Sequence, residues 1–189
     1  DLPNNSQSVY RIGSTSKQFT AASIIILAQK GKLSLDDSLH MFFPDFPDYA
    51  KNITVRHLLN HTSGIKNYLT LAILKGWNYI DNFTHKDVMR WLINQTELNF
   101  APGQEYGYSN SGYWLLGQII SQVAEMSPAD FAMQEIFKPL GMNSTRFHND
   151  YTQVVKNRAT GYMPNSDGGF QIRMTTLDMT GAGGIFTTV

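Results

Sequence analysis

The sequence predicts a mainly helical α+β domain with little sheet. Three observations carry that expectation: apolar residues recur at helical spacing, caps and glycine or proline stops bracket those runs, and alternating runs of strand type are scarce. The 189 residues, 42% of them hydrophobic, suit one domain that buries most of its apolar surface. A disordered or collagen-like chain is excluded by the same composition.

In chain order, Ser14 to Lys30 is predicted to be a helix, apolar nearly all round through Phe19, Ala22, Ile25, Ile26 and Leu27, and stopped by Gly31. Such a helix is expected to be buried on all sides. Asp36 to Tyr49 is broken by Pro44 and Pro47 and reads as an ordered loop anchored by aromatic residues. Thr54 caps a short helix, Val-Arg-His-Leu-Leu-Asn-His, that ends by Gly64. Thr84 caps a longer one with Asp87 at its third position and Val88, Trp91 and Leu92 on one face. After the turn-rich Ala101-Pro102-Gly103-Gln104, Gly112 to Glu125 carries Leu115, Leu116, Ile119, Ile120 and Val123 at helical spacing. Ser127, with Pro128 and Asp130 behind it, caps a last helix through Phe131, Ile136 and Phe137 that Pro139 stops. Beyond Gly141 the chain reads as loop, with one strand at Arg158 to Tyr162 and a glycine cluster at Gly181, Gly183 and Gly184.

Charge and cysteine usage narrow the function classes. Fifteen basic and fifteen acidic side chains balance, and no basic run gives a field for nucleic acid. Without cysteine there is no disulfide scaffold, no thiolate nucleophile and no cysteine-ligated metal. The longest apolar run, Ile24 to Ala28, falls far short of the roughly 20 residues that span a bilayer, so no transmembrane segment is expected. Asp1 opens the sequence in place of methionine, and no signal-peptide pattern follows, which fits removal of an upstream segment.

Ser14 and Lys17 stand three apart at the start of the first predicted helix, so one turn sets the amine beside the hydroxyl. A base beside a nucleophile is the minimum for covalent acyl transfer. The helix N-terminus adds backbone N–H groups and a positive dipole end that favour negative charge at Ser14. Burial against the apolar helix would lower the lysine pKa and let it act as a base. A second pair, Ser63 and Lys66, is a decoy, because Gly64 ends a helix there and leaves the two without a shared face. Tyr108-Ser109-Asn110 precedes the Gly112 helix. A tyrosine there can relay a proton, and the Asn110 amide can orient a carbonyl, hold the lysine or simply cap the helix. With nine tyrosines and fourteen asparagines, about one such spacing arises by chance, so position matters more than occurrence.

Four ordered motifs raise the specificity: Tyr10-Arg11-Ile12-Gly13-Ser14-Thr15-Ser16-Lys17, then Ile53 through His61-Thr62-Ser63-Gly64, then Pro102-Gly103 to Tyr108-Ser109-Asn110-Ser111-Gly112-Tyr113, then Gly181-Ala182-Gly183-Gly184. Together they resemble the serine β-lactamase-like hydrolases, in the branch of class C β-lactamases, serine DD-peptidases and related esterases. The resemblance implies a β-lactamase/transpeptidase-like fold, with Ser14 as acyl-forming nucleophile, Lys17 as its proton partner and Tyr108 as the second proton-transfer group. It further implies that Asn110 holds Lys17 and contacts substrate, and that the Ser14 N–H forms half of an oxyanion hole. The implied substrate is a small-molecule or peptidoglycan-like amide, ester or β-lactam, with no metal or organic cofactor, and the implied setting is the cell envelope, the periplasm or outside the cell. Members of the family also carry strands ahead of the Ser-x-x-Lys helix and a late Lys-Thr-Gly or His-x-Gly strand. Thirteen residues precede Ser14 and Val189 soon follows the glycines, so residues 1–189 are expected to be an internal part of one catalytic domain lacking both. A catalytically inactive binding module of the same fold is the alternative.

The remaining candidates have bland explanations beside the sharp ones. His57 and His61 have the four-residue spacing of paired zinc ligands, but Leu58 stands where a catalytic glutamate would be and no third ligand is evident. In the resembled family this segment turns the chain near the site. Six Asn-x-Ser/Thr sequons, at Asn4, Asn52, Asn60, Asn82, Asn94 and Asn143, would suit a glycosylated protein, yet Thr54, Thr62 and Thr84 already have structural readings. Phe42, Phe43 and Phe46 are loop anchors or a substrate wall. Gly183 and Gly184 form a tight turn or let backbone approach a substrate.

Overall fold

The computed structural model describes residues 3–77, 83–150, 152–175 and 179–189. Its longest helices are α1 (Lys17–Gln29) and α6 (Asn110–Ala124), joined around the core by α2 (Leu39–Phe42), α3 (Val55–Leu59), α4 (Tyr68–Leu74), α5 (His85–Ile93) and α7 (Pro128–Ala132). Short strands β1 (Tyr10–Arg11), β2 (Arg146–Phe147) and β5 (Ile185–Thr187) form a three-stranded antiparallel sheet in the order β1-β5-β2. Tyr10 lies opposite Thr187, and Phe147 opposite Ile185. A hairpin of β3 (Tyr162–Pro164) and β4 (Phe170–Ile172) stands apart.

The caps work as their residue types dictate. Thr54 and Thr84 each form a capping box, the second with Asp87. Ser127 accepts from the Asp130 N–H, with Pro128 in the first turn. Past α7, residues Met133–Phe137 run on as a π-helical turn. The α5 face of Val88, Trp91 and Leu92 is buried as its spacing requires.

Elsewhere the structure corrects the sequence reading. The Ser14 segment opens with a 3₁₀ turn, Gly13–Ser16, before α1, and α1 is not buried all round, since Ile25 keeps 38% of its surface exposed. α1 lies between two apolar clusters. Ile24 and Leu27 belong to the larger, while Phe19, Ala22 and Ile26 pack against the smaller with Phe137. The short helix after Thr54 stops at Leu59, because His61 takes a left-handed φ of 58°. Leu39–Phe42 forms a helical turn inside the predicted loop and Asp48–Asn52 another that runs past its end, and Phe43 and Phe46 are buried core anchors, not a substrate wall. Helix α4, capped by Asn67, has no counterpart in the sequence reading. The predicted strand at Arg158 to Tyr162 is displaced: Arg158 makes only an isolated bridge to Val9, and pairing starts at Tyr162. A strand, β1, does precede Ser14. Such two- and three-residue strands are too short to show a period.

The glycine cluster is a turn closed by a bridge between Thr180 and Gly183. Gly181 lies against α6 at φ 96°, where an added Cβ would fall 2.5 Å from the Tyr113 carbonyl oxygen and 3.2 Å from the Gly117 Cα. Only glycine allows so close a crossing in that conformation. The Thr20 hydroxyl of α1 donates to the Gly181 carbonyl at 2.8 Å, and the Ile185 N–H donates to Ser16 Oγ at 3.1 Å. The turn is thus pinned between α1, α6 and β5, with the Ser14 turn beside it.

Candidate active site

Four sequence-predicted residues meet at this junction. Ser14 lies exposed on the turn between β1 and α1, which are held to β5 by the Ile12 N–H donating to the Ile185 carbonyl. Its Oγ accepts from Lys17 Nζ at 3.2 Å and from the Tyr108 hydroxyl at 2.8 Å. Lys17 also donates to Asn110 Oδ1 at 2.9 Å and to the Ala182 carbonyl oxygen at 2.6 Å. Three acceptors for three ammonium protons hold the amine in one place.

Asn110 is the first residue of α6 and does not cap it. Ser109 is the cap, its side chain accepting from the Ser111 N–H. That frees the Asn110 amide, whose Nδ2 donates to Asn67 Oδ1 at 3.4 Å while its oxygen receives Lys17. Asn67 also caps α4, so one side chain ties that helix to the site. Ser111, buried, bonds to the Tyr68 N–H and the Lys66 carbonyl and fixes the same corner. The sequence reading missed Asn67, Thr20 and the Ala182 carbonyl. The Thr20 spacing, one turn beyond Lys17, and the place of Ala182 within the glycine motif are the traces they left in the sequence.

Electrostatics follow from burial. Lys17 keeps 7% of its surface exposed, and loss of water lowers its pKa, against a raising effect from Tyr108. Burial alone would raise the Tyr108 pKa, but hydrogen bonding with Lys17 and Ser14 and the Lys17 charge together win, and its pKa is lowered. A proton on either partner satisfies the same separations to Ser14 Oγ. The cluster therefore sets the Ser14 hydroxyl between an amine and a phenol whose pKa values are both lowered.

The other candidates resolve differently. Ser63 is buried, its hydroxyl accepting from the Ile65 N–H, whereas Lys66 lies 3.6 Å from Glu97, so this pair shares no helical face. His57 and His61 do not share one either, since α3 ends between them. His57 Nδ1 accepts the Thr54 N–H in the capping box. His61 stands beside the site, its ring 4.5 Å from that of Tyr108. Asn82 lies outside the described residues.

A helical body against a small antiparallel sheet, with a Ser-x-x-Lys turn facing Tyr108 and Asn110, defines the β-lactamase/transpeptidase fold. The family model described as Beta-lactamase matches residues 1–189, and the chain belongs to that family. It is 40% identical over 153 residues to Penicillin-binding protein 4* of Bacillus subtilis (strain 168), a match covering 78% of this chain and 32% of that one. The octameric penicillin-binding protein homologue from Pyrococcus abyssi superposes with a TM-score of 0.85 at 31% identity, over 100% of this chain and 44% of that chain. The D-amino acid amidase from Ochrobactrum anthropi SV3, solved with L-phenylalanine, gives 0.84 at 28% identity, over 100% of this chain and 54% of that one. The chain thus spans about a third of its curated relative and about half of these structures.

Proposed function

We propose that this chain carries the nucleophile-bearing part of a serine hydrolase that works through an acyl-enzyme on an amide, ester or β-lactam carbonyl. The observation that supports the reading is the pair of hydrogen bonds converging on Ser14 Oγ from Lys17 and Tyr108. Ser14 Oγ attacks the carbonyl carbon as Lys17 or Tyr108 takes its proton. The carbon–nitrogen or carbon–oxygen bond then breaks, and the same proton passes to the leaving group through Tyr108. Water, deprotonated by the same groups, attacks the acyl carbon and returns Ser14. Asn110 keeps Lys17 aimed at Ser14 and faces the substrate. The positive end of the Ser14 turn and its N–H favour the oxyanion. These steps call for no metal or organic cofactor.

The substrate class is a small or peptidoglycan-like acyl compound, and the setting is the cell envelope or outside the cell. The acyl class extends to this chain what its penicillin-binding and amidase relatives are named for, and the setting follows from the family resemblance of the motifs. The test is intact mass and peptide mapping of the full-length protein after exposure to a fluorophosphonate and, separately, a penicillin. A Ser14 adduct that the Ser14→Ala variant no longer forms is expected. Turnover retained in full by Ser14→Ala, or no adduct on the intact protein, overturns the reading and favours an inactive binding module.

A further inference from the structure

We propose that His61 is a positioning residue for Tyr108: its imidazole braces the Tyr108–Ser109 turn so that the phenol oxygen meets Ser14 Oγ. The inference rests on the reading of Ser14 as nucleophile and adds a residue that reading does not use.

His61 occupies a conformation uncommon for a residue with a Cβ, at φ 58°. Such outliers persist where surrounding contacts determine them, and here those of the His61 carbonyl and ring lead to the site. The His61 carbonyl accepts the Gly107 N–H at 2.8 Å, and its Nδ1 accepts the Ser109 N–H at 3.3 Å. Backbone and ring of one residue therefore clamp both sides of Tyr108. The ring itself lies 4.5 Å from Tyr108, 5.0 Å from Tyr113 and 5.9 Å from Tyr106, centroid to centroid. An accepting Nδ1 places the ring proton on Nε2. Burial and the nearby Lys17 charge lower the His61 pKa, which favours that neutral, accepting form.

Tyr108 needs such a brace because 47% of its surface is exposed. A phenol free to turn about χ1 would leave Ser14 Oγ. Misplacement by about 1 Å can slow a reaction about 10²-fold.

The test is a double-mutant cycle in the full-length protein, reading the rate of Ser14 adduct formation with a fluorophosphonate and the kcat and KM for a p-nitrophenyl ester. His61→Ala is expected to lower both rates by about 10- to 10²-fold, with KM changed far less, because alignment and not binding is lost. His61→Asn keeps an acceptor and tolerates the left-handed backbone, so it recovers part of the rate and serves where alanine does not fold. In a Tyr108→Phe background, neither change has a further effect, since the group being positioned is gone. Equal losses in both backgrounds, or no loss in the first, overturn the proposal while Ser14 labelling of the unaltered protein still stands. Absence of that labelling overturns the parent reading and this inference with it.

Discussion

At Lys17 a primary amine sits almost out of reach of water, bonded at once to a hydroxyl, an amide oxygen and a backbone carbonyl. Burial penalises its charged form, so its pKa is lowered from 10.5 and the neutral amine becomes available at lower pH. If Lys17 takes the Ser14 proton, kcat/KM rises with pH through a midpoint below 10.5. Lys17→Arg, whose guanidinium does not deprotonate, then loses that rise and about 10²- to 10⁴-fold in rate. An unchanged pH–rate profile in Lys17→Arg would move the base role to Tyr108. Stability carries the same sign. Between the lowered folded pKa and 10.5 the unfolded chain binds more protons, so unfolding free energy climbs with pH across that window.

The motif residues Ser14, Lys17, Tyr108 and Asn110 are readable at this scale because each is a side chain of the right chemistry in a short local pattern. The Ala182 carbonyl is not, since every residue has one and nothing in the chain records which is aimed at an amine 165 residues away. His61 is legible in the sequence as half of a metal-like pair and as part of the His61-Thr62-Ser63-Gly64 motif, neither of which points to Tyr108. Its place against Tyr108 depends on a left-handed turn that ends α3 early, which the helical spacing hides.

At the scale of elements, the junction of α1, α6 and the glycine turn decides the geometry of the site. Gly181→Ala introduces a Cβ 2.5 Å from the Tyr113 carbonyl oxygen at a φ of 96°. The turn must lift from α6, carrying with it the carbonyl that receives Lys17. Expected outcomes are a lower thermal midpoint together with a lower rate of Ser14 labelling. A variant with native labelling would show that the Ala182 carbonyl contributes little to holding Lys17. Helices were legible here wherever caps and apolar period agreed, as at α5, α6 and α7. Helix α4 escaped because Asn67 was not read as its cap, and the strands because two or three residues define no alternation.

Over the whole molecule, two apolar clusters share α1 as their common wall. Phe137 is fully buried in the smaller, its ring 5.1 Å from that of Phe19 in an edge-to-face contact. Phe137→Ala is expected to remove about 3–5 kcal/mol, read from the denaturant midpoint of the full-length protein, a large share of an ordinary folding free energy. The loss should fall on labelling of Ser14 as well, since α1 carries both the wall and Lys17. A loss under about 1 kcal/mol would mean that the smaller cluster collapses readily around the gap.

By itself the sequence determined the helices with strong caps, the helical character of the domain and the chemical identities of the four clustered residues. These are local properties, set by spacing, cap chemistry and the turn that holds Ser14 near Lys17. Tertiary structure alone decided that Tyr108 and Asn110, more than ninety residues away, reach that turn, that Lys17 is dry enough to lose basicity, and that His61 stands behind Tyr108. The physical reason is the range of the forces involved. Period and capping act within a turn or two of helix, whereas burial and hydrogen-bond alignment exist only once distant segments have packed.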